Sequence, residues 1–385
     1  MQNRIGKFIT KKVAGESYKI YIPPKLPLHS GIDLNPISTL IENAAFFLSQ
    51  LNSIAESIPN TNLFVYMYVR KEALLSSQIE GTQSSFSDLI LFEHKQKPQV
   101  SLDDVEEVSN YVKAINHGIK RLKKGFPLCN RLICEVHKIL LSGIRGTNKL
   151  PGKFRTSQNW IGGTRPGNAI FVPPAPEFLP ECLSNLEKFL HDNTYPALIK
   201  AAITHLQFET IHPFLDGNGR IGRLLIILLL INDGIIEKPI LYLSLYLKQN
   251  RSTYYNLLQE VRTNGTWETW LEFFLDSIIT SSKQAILTIN KINNLFTVDL
   301  LKIDKLGRAS HSCRKVLEYL QELPQISVPT LSQALNISAP AARNALNHLT
   351  QLDITQEITG KKRDKIYVYK NYLTLLEDGT EPLSL

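Results

Sequence analysis

The spacing of apolar and polar positions along the chain predicts a mainly helical protein. Met67 to Glu80 reads as a helix and is followed by Gly81, a residue type that commonly terminates helices. Asp103 to Lys124 places apolar side chains at helical spacing and ends in lysines, which suit the negative end of the helix dipole. Pro127 to Leu141 and Phe178 to His191 are predicted as further helices.

Two extended runs interrupt the predicted helices in the middle of the chain. Gly152 to Thr164 and Ala169 to Pro174 lie on either side of the turn residues Pro166 and Gly167. Extended runs around a Pro-Gly turn predict a small β-hairpin.

The C-terminal part of the chain has a pattern of its own. Three helices are predicted there, Cys313 to Leu323, Pro329 to Leu335 and Ser338 to Leu352, and a β-hairpin follows, Ile354 to Ile358 with Lys365 to Tyr369. Three helices and a two-stranded basic wing resemble a winged helix-turn-helix domain. Fold alone does not decide between DNA binding and packing against protein, so both interpretations stay open.

Charge adds to the picture mainly in this C-terminal part. The 385-residue chain has a formal net charge of +8, and Lys305 to Asn371 holds ten Lys or Arg against five Asp or Glu, a net +5. A basic excess of this kind is a reason to expect nucleic acid as a partner. In the third predicted helix, Arg343, Asn344 and Asn347 face outward from the apolar stripe.

Cysteine usage and the apolar segments favour a cytoplasmic protein. The four cysteines form no Cys-x-x-Cys pair, so neither structural zinc nor a disulfide framework is expected. The basic N-terminus lacks the apolar stretch of a signal peptide. The apolar run Leu224 to Ile231 is too short to span a bilayer and is predicted as a buried helix, so no membrane partner is expected.

Glycines in the segment from His212 to Arg223 predict an anion site. This segment reads His-Pro-Phe-Leu-Asp-Gly-Asn-Gly-Arg-Ile-Gly-Arg. Gly217 and Gly219 both permit left-handed backbone, which would let N–H groups around Asn218 converge on one anion. A helix is predicted to begin at the same place, and the start of a helix attracts phosphate.

Charged side chains around this turn extend the prediction to a nucleoside triphosphate. Arg220 and Arg223 lie one helical turn apart, so both can reach bound phosphates. Asp216 suits a divalent cation that bridges those phosphates. Pro213 ends the preceding helix and leaves His212 at the mouth of the loop, where an imidazole can deprotonate a hydroxyl near neutral pH.

The same segment resembles the signature of the Fic family, His-Pro-Phe-x-Asp/Asn-Gly-Asn-Gly-Arg-x-x-Arg, at all nine fixed positions. The resemblance implies a protein adenylyltransferase, an enzyme that transfers AMP from ATP to Ser, Thr or Tyr hydroxyls of proteins. It implies that His212 is the catalytic base and that Asp216 binds Mg²⁺. The residues implied to contact the nucleotide at the helix start are Gly217, Asn218, Gly219, Arg220, Ile221, Gly222 and Arg223.

A second resemblance lies upstream, at the end of the first predicted helix. The spacing of Ser76, Glu80 and Gly81 is similar to the Fic inhibitory motif, Ser/Thr-x-x-x-Glu-Gly/Asn. A carboxylate in the last turn of a helix lies at the unfavourable end of the dipole and favours a nearby cation. The resemblance implies that Glu80 pairs with Arg223 and denies that arginine to the γ phosphate.

The predicted central hairpin resembles the Fic flap, which covers the nucleotide and pairs with an extended segment of the target protein. The flap residues implied to line the nucleotide are Ile161, Gly162, Gly163 and Thr164. Tyr254 and Tyr255 match in position an aromatic pair that borders the adenine in some relatives. A tyrosine pair on an amphipathic helix is more often a packing feature, and that alternative stays open.

These features together predict a mainly α protein, with a Fic helical core, a small β-hairpin flap and a C-terminal winged helix-turn-helix-like domain. The expected divisions are a helical region with the inhibitory motif (1–120), the catalytic core (121–290) and the winged-helix-like domain (305–372). The expected co-substrate is ATP with Mg²⁺. The expected partner is a protein with a modifiable hydroxyl, and self-modification, a homodimer and DNA are further expectations.

Two other functions fit the sequence. Some Fic proteins use another nucleotide, transfer phosphate, or remove AMP with the inhibitory glutamate as the base, a role that would fall to Glu80. The other alternative is a DNA-binding regulator whose Fic core senses nucleotide.

Overall fold

The chain begins with a β-hairpin that the sequence analysis missed. A computed structural model describes residues 4–13, 15–56, 61–93, 101–143, 149–360 and 365–381. Strands β1 (Lys7–Val13) and β2 (Glu16–Ile22) pair in antiparallel register, with Ile9 opposite Ile20. The sequence pattern predicted a helical region over 1–120 and gave no sign of this hairpin.

Helices make up most of the remaining structure, as the apolar spacing predicts. Their bounds are α1 Ser38–Glu56, α2 Thr61–Ile79, α3 Phe86–Glu93, α4 Leu102–Lys123, α5 Asn130–Leu140, α6 Leu179–Leu190, α7 Ala197–Ile211, α8 Asn218–Asn232, α9 Ser244–Gln249, α10 Arg251–Asn264 and α11 Trp267–Asp304. The predicted mainly α fold is confirmed.

The centre of the core is the pair α7 and α8. Nearly every side chain of both helices is buried, including the polar side chains of Lys200, Gln207 and Glu209 in α7, so both helices lie in the protein interior. The two helices pack on each other, and α4 and α5 both contact α8. Trp270 of α11 donates an indole hydrogen bond to the carbonyl of Ala202 in α7 at 3.0 Å. The loop between α7 and α8 is thus held between two rigid, buried elements.

Over the described ranges, no helix is both long and apolar enough to cross a membrane.

The predicted flap has little regular pairing. A single antiparallel bridge joins Ile161 to Phe171, and the turn between them is a short 3-10 helix, Pro166–Asn168. The N-terminal hairpin packs beside it, because the Tyr21 amide donates to the Val172 carbonyl at 2.9 Å. The flap is therefore supported by the β1–β2 hairpin, which is distant in the sequence.

The C-terminal part has the predicted elements and two more. The helices are α12 Ser310–Glu322, α13 Val328–Leu335, α14 Ala339–Gln351 and α15 Lys370–Glu377, and the strands are β3 Gln325–Ser327, β4 Thr355–Glu357 and β5 Ile366–Tyr369. Strand β5 lies between β3 and β4, antiparallel to both. The sequence analysis missed β3 and α15. The predicted turn of the wing lies partly outside the described residues, and a winged-helix identity stays a prediction.

Candidate active site

The segment that follows α7 places a histidine at a sharp change of chain direction. Residue His212 caps α7 in the left-handed conformation, with φ 49° and ψ 59°, and its amide donates to the Phe208 carbonyl at 2.9 Å. Left-handed backbone is uncommon for a residue with a side chain, so the surrounding contacts must hold it. Pro213 follows and prevents the helix from continuing, as predicted.

Three polar side chains hold this loop in place. The amide group of Asn218 bonds both backbone groups of Phe214, each at 2.8 Å. Arg155 Nε donates to the His212 carbonyl at 2.9 Å, and Asn159 Nδ2 donates to the same carbonyl at 3.2 Å. Asn159 also donates to the Phe214 carbonyl at 2.9 Å, which ties the start of the flap to the loop. The strained histidine is thus fixed from both sides.

The start of α8 is organised to receive an anion. Its N-cap, Gly217, is left-handed with φ 75° and provides no side-chain cap. The first-turn amides of a helix lack acceptors within the helix, so those after Gly217 carry partial positive charge. Asp216 Oδ1 accepts a hydrogen bond from the Gly217 amide at 2.6 Å.

Burial keeps His212 in its neutral form. It lowers the pKa of His212 to about 4, and the charge of Arg262 acts in the same direction. The nearest carboxylate is Glu209, whose Oε2 is 4.0 Å from His212 Nδ1. Because Nδ1 is buried, Nε2 is the ring nitrogen that can meet a hydroxyl. A neutral imidazole has a lone pair on one ring nitrogen, which can take the proton of an attacking hydroxyl.

The last turn of α2 binds the arginine of α8 directly. Arg223 donates to Glu80 Oε1 at 2.7 Å, to the Ser76 hydroxyl at 2.8 Å and to the Ser76 carbonyl at 2.9 Å. Desolvation opposes ionisation of Glu80, but the charge and hydrogen bond of Arg223 outweigh it and hold the pKa of Glu80 below its usual range. Gly81, with φ 104°, ends the helix as predicted. The structure thus brings Ser76 and Glu80 to Arg223.

Gly219 makes room for this ion pair. The sequence analysis assigned it left-handed backbone like that of Gly217, but that expectation was wrong, because Gly219 lies in the first turn of α8. A Cβ at this position would be 2.2 Å from Glu80 Oε1 and 3.0 Å from an Arg223 nitrogen. The position therefore requires glycine for space, because Glu80 approaches the backbone there.

Arg220 is also paired with carboxylates. It forms an ion pair with Glu107 of α4, and a second nitrogen lies 3.5 Å from Asp216 Oδ1. These side chains line a cavity of about 280 Å³ beside the start of α8, together with Glu80, Asp103, Glu106, Asn110, Leu140, Leu141, Ser142 and Gly143. The cavity wall is strongly acidic, so a polyphosphate here needs neutralising cations.

Asp216 is the predicted metal ligand, and its side chain is 45% exposed on this cavity. Among the described residues, no group of three or more His, Cys, Asp or Glu is arranged to hold a metal ion. Mg²⁺ usually binds one or two carboxylates and takes its other ligands from phosphates and water. A single accessible carboxylate beside an anion site therefore fits Mg²⁺ that arrives with a nucleotide.

The flap residues and the tyrosine pair differ in accessibility. Gly162, Gly163 and Thr164 are exposed, and Ile161 is partly buried at the bridge. The two glycines are left-handed, both with φ 69°. Of the tyrosines, Tyr254 is buried and its hydroxyl bonds His205 Nε2 at 2.8 Å, while Tyr255 stays 38% exposed. Tyr255 is thus the member of the pair with ring surface available to a ligand.

Known proteins share the segments that build this site. Residues 38–120 match the Fic/DOC family N-terminal model, and residues 127–230 match the Fic/DOC family model. Both matched segments are therefore those of the Fic/DOC family. The second match contains His212 and Arg223, and the first contains Glu80. The ion pair between Glu80 and Arg223 therefore joins the two Fic segments.

The Fic relatives are similar over part of their length. Protein adenylyltransferase Fic of Drosophila melanogaster is 29% identical over 179 residues, which are 46% of this chain and 33% of the relative. An Aquifex aeolicus protein named probable protein adenylyltransferase is 26% identical over 180 residues, 43% of this chain and 51% of the relative. The chain thus spans about a third to a half of the length of these relatives.

Two solved structures show the same Fic fold. A Fic family protein from Desulfovibrio desulfuricans G20 aligns with a TM-score of 0.59 and 18% identity, and covers 88% of this chain and 97% of that one. A Fic domain containing signaling protein from Bacteroides thetaiotaomicron aligns with a TM-score of 0.51 and 20% identity, and covers 64% of this chain and 97% of that one.

Sequence reasoning missed several residues that build the Fic site. Glu107 was not assigned a role, although it pairs with Arg220. Arg155 and Asn159, which hold the loop, follow no periodic pattern and gave no signal. His137 was assigned no role in the site either, although its Nε2 bonds the Asp216 carbonyl at 3.0 Å.

Proposed function

We propose that this Fic protein transfers AMP from ATP to a protein hydroxyl and is held in check by its own α2 helix. The proposal is supported by three features that lie next to one another. His212 is neutral with its side chain 20% exposed, α8 begins beside it with first-turn amides that no side chain caps, and Arg223 of α8 is bound by Glu80. The names of the relatives support AMP transfer as the chemistry.

The roles of the protein groups follow from their chemistry. A Ser, Thr or Tyr hydroxyl oxygen attacks the α phosphorus, and the bond to the bridging oxygen of the β phosphate breaks. His212 Nε2 takes the hydroxyl proton, and pyrophosphate leaves. General-base help of this kind typically contributes about 10² to 10⁴ in rate. Positioning of the phosphates by α8, Arg220 and Arg223 supplies the remaining stabilisation.

Mg²⁺ would be held by Asp216 together with the nucleotide phosphates. When bound, the ion neutralises phosphate charge in a cavity whose own wall is acidic. The Asp216 backbone carbonyl accepts from His137, and its side chain accepts from the Gly217 amide, so the carboxylate is oriented before any ion arrives. Preorganisation of this kind lowers the cost of binding.

The inhibitory role follows from competition for one guanidinium. Arg223 makes three hydrogen bonds with Ser76 and Glu80, and a γ phosphate needs the same donors. ATP that enters without this arginine leaves its α phosphate poorly oriented for attack. Transfer by the wild-type protein is accordingly slow.

The target protein is recognised through the exposed flap in this proposal. An extended target segment would add to the flap as a strand, and the same chemistry permits self-modification and action between the subunits of a homodimer.

The described cysteines are all free thiols, which is in keeping with a reducing, cytoplasmic setting.

Incubation with isotopically labelled ATP and magnesium, followed by mass spectrometry of the protein and of a cell lysate, tests the proposal. Addition of one AMP to a Ser, Thr or Tyr side chain is the expected result. A different added mass would indicate another nucleotide or phosphate transfer. Loss of AMP from a premodified protein, dependent on Glu80, would indicate the reverse reaction.

A second candidate function is DNA binding by the C-terminal unit, residues 305–372. Arg343, Asn344 and Asn347 are exposed on one face of α14, and Ser338 caps that helix by accepting from the Ala341 amide at 3.3 Å. An exposed polar helix face beside an antiparallel strand pair fits the major groove of duplex DNA. Footprinting on genomic fragments at low salt would identify such a site.

A further inference from the structure

The segment that follows α15 lies directly on the helix that carries the inhibitory glutamate. Lys71 Nζ of α2 donates to the Asp378 carbonyl at 2.6 Å, and Gln78 Nε2 donates to the Thr380 carbonyl at 2.8 Å. Lys248 Nζ of α9 donates to the Glu381 carbonyl. The acceptors are all backbone groups, so the surface binds the main chain of the segment.

Lys71, Gln78 and Lys248 form a built site, which we call the tail site. All three are almost completely buried, with exposed fractions of 3%, 1% and 7%. Long polar side chains are seldom buried without partners. Here each donates to the segment Asp378–Glu381, and Lys248 also donates to Gln78 Oε1 at 2.8 Å. Loss of the segment would remove one acceptor from each of these three buried donors.

The tail site and the inhibitory contact share one helical turn. Gln78 lies between Ser76 and Glu80 in the last turn of α2. Its side chain also donates to the Ser84 carbonyl at 3.0 Å, which fixes the loop after the helix. The Glu80 backbone is held through that same turn, because its amide donates to the Ser77 carbonyl at 3.0 Å. A displacement of Gln78 therefore moves the backbone that carries Glu80.

The segment is in turn connected to the C-terminal unit. It follows α15, which begins directly after β5. The hydroxyl of Tyr369, the last residue of β5, donates to Asp299 of α11 at 2.8 Å, and the ring of Tyr372 packs edge-on against Phe296 with centroids 5.0 Å apart. The short helix that leads into the tail site is thus held against α11 by Tyr369 and Tyr372.

We propose that the segment Asp378–Glu381 controls the nucleotide site. While the segment occupies the tail site, the end of α2 is fixed and Glu80 stays on Arg223. When the segment leaves, the last turn of α2 loosens and Arg223 becomes available to phosphate. This inference rests on the proposed AMP transfer and adds the element that regulates it. Couplings between two sites of a protein are typically about 5- to 150-fold in an equilibrium.

Gly379 offers a substitution that displaces the segment in the full-length chain. Its φ is +77°, and a Cβ there would be 3.1 Å from a methyl of Leu245, so Gly379→Val meets both strain and a close contact. Gly360→Val is the matched control, because φ is +62° there and a Cβ meets no atom of the described residues within 4 Å. AMP incorporation should rise about 5- to 50-fold in Gly379→Val and stay unchanged in Gly360→Val.

A Glu80→Gly background separates this inference from the proposed function. Gly379→Val should add nothing there, because the segment acts through Glu80. If Glu80→Gly incorporates no AMP, the proposed function fails. If Glu80→Gly is activated and Gly379→Val resembles wild type, the control by the segment is refuted.

Hydrogen exchange provides a readout that does not depend on activity. Amides at the end of α2, from Ser76 to Glu80, should exchange faster in Gly379→Val than in Gly360→Val, and unchanged protection would contradict the inference. If Gly379→Val does not fold, Lys248→Met serves as the second variant, since it removes the donor to Glu381 and to Gln78. It should show the same activation and the same faster exchange.

Discussion

Glu80 and Arg223 are 143 residues apart in the sequence, and their side chains form an ion pair at 2.7 Å. The carboxylate lies at the end of α2, where the helix dipole is unfavourable for a negative charge, and the arginine compensates for it. Gly219, one turn before Arg223, makes space for the contact. The end of one helix thus occupies the side chain that the start of another needs for phosphate.

Glu80→Gly should therefore raise AMP incorporation. The substitution removes the competitor for Arg223, and release of a charged hydrogen bond is worth about 1.5 to 3 kcal/mol, or about 10- to 10²-fold in rate. Arg223→Ala should lower incorporation. The double variant should resemble Arg223→Ala alone, because relief of inhibition cannot help once the phosphate ligand is gone. Labelled ATP incorporation by the four proteins measures this, and an activation that persists without Arg223 would show that the pair is not the cause.

His212→Ala should abolish transfer and leave nucleotide binding nearly unchanged. The imidazole acts only when the hydroxyl attacks, so its loss should cost about 10² to 10⁴ in rate with little effect on the Kd for ATP. Titration calorimetry gives the Kd for ATP and labelled incorporation gives the transfer rate. Both are measured on one preparation in the Glu80→Gly background. Retention of more than about a tenth of the rate would refute the role of His212 as the base.

The helices and the anion loop were predictable because their signals are local. Apolar spacing predicts α4 and α8, and the run from His212 to Arg223 carries its chemistry in consecutive residues. The role of Gly219 was not predictable in the same way. A glycine that provides space for a distant carboxylate looks the same in the sequence as one that adopts left-handed backbone.

Contacts between distant segments account for most of what the sequence did not reveal. The β1 strand has three lysines in seven residues, and its hairpin is stabilised by the flap, where Ile20 packs with Val172. Glu107 lies in an acidic stretch of α4 that resembles a solvated helix face. Only the packing of α4 on α8 shows that it meets Arg220.

Glu209→Gln should change how stability depends on pH. Burial raises the pKa of Glu209 to about 7 from an ordinary value of 4.5, so between these pH values the folded protein holds a proton that the unfolded chain has lost. The stability from this proton is complete below pH 4.5 and is lost as pH rises through 7. Relative to the variant, the wild type should lose about 2 to 3 kcal/mol between pH 5 and pH 8 in urea unfolding. Glu318→Gln, at an exposed position, is the control, and parallel curves for wild type and Glu209→Gln would contradict the assignment.

Arg343→Ala should weaken duplex DNA binding if α14 is the reading helix. Loss of one contact to a base edge typically costs about 1 to 3 kcal/mol, or about 5- to 150-fold in Kd. Lys291→Ala, an exposed basic position on α11, is the control for a general loss of charge. Fluorescence anisotropy at low salt, where phosphate contacts are strongest, gives the Kd values. Equal weakening by both substitutions would point to unspecific attraction, and no binding by the wild type would remove DNA as a partner.

Glu107→Gln should tighten nucleotide binding. Glu107 occupies Arg220 in the same cavity where Glu80 occupies Arg223, so both arginines that phosphates would need are held by carboxylates. Removal of one negative charge from this wall should favour a polyphosphate by about 1 kcal/mol, or about fivefold in Kd. Glu106→Gln is the matched control, because Glu106 lines the cavity and precedes Glu107 on α4. Titration of ATP with magnesium into each variant distinguishes the release of Arg220 from the general loss of a negative charge in the cavity wall. Equal tightening by both variants would mean that only the charge of the wall matters, and weaker binding by Glu107→Gln would mean that Glu107 orients Arg220 for phosphate.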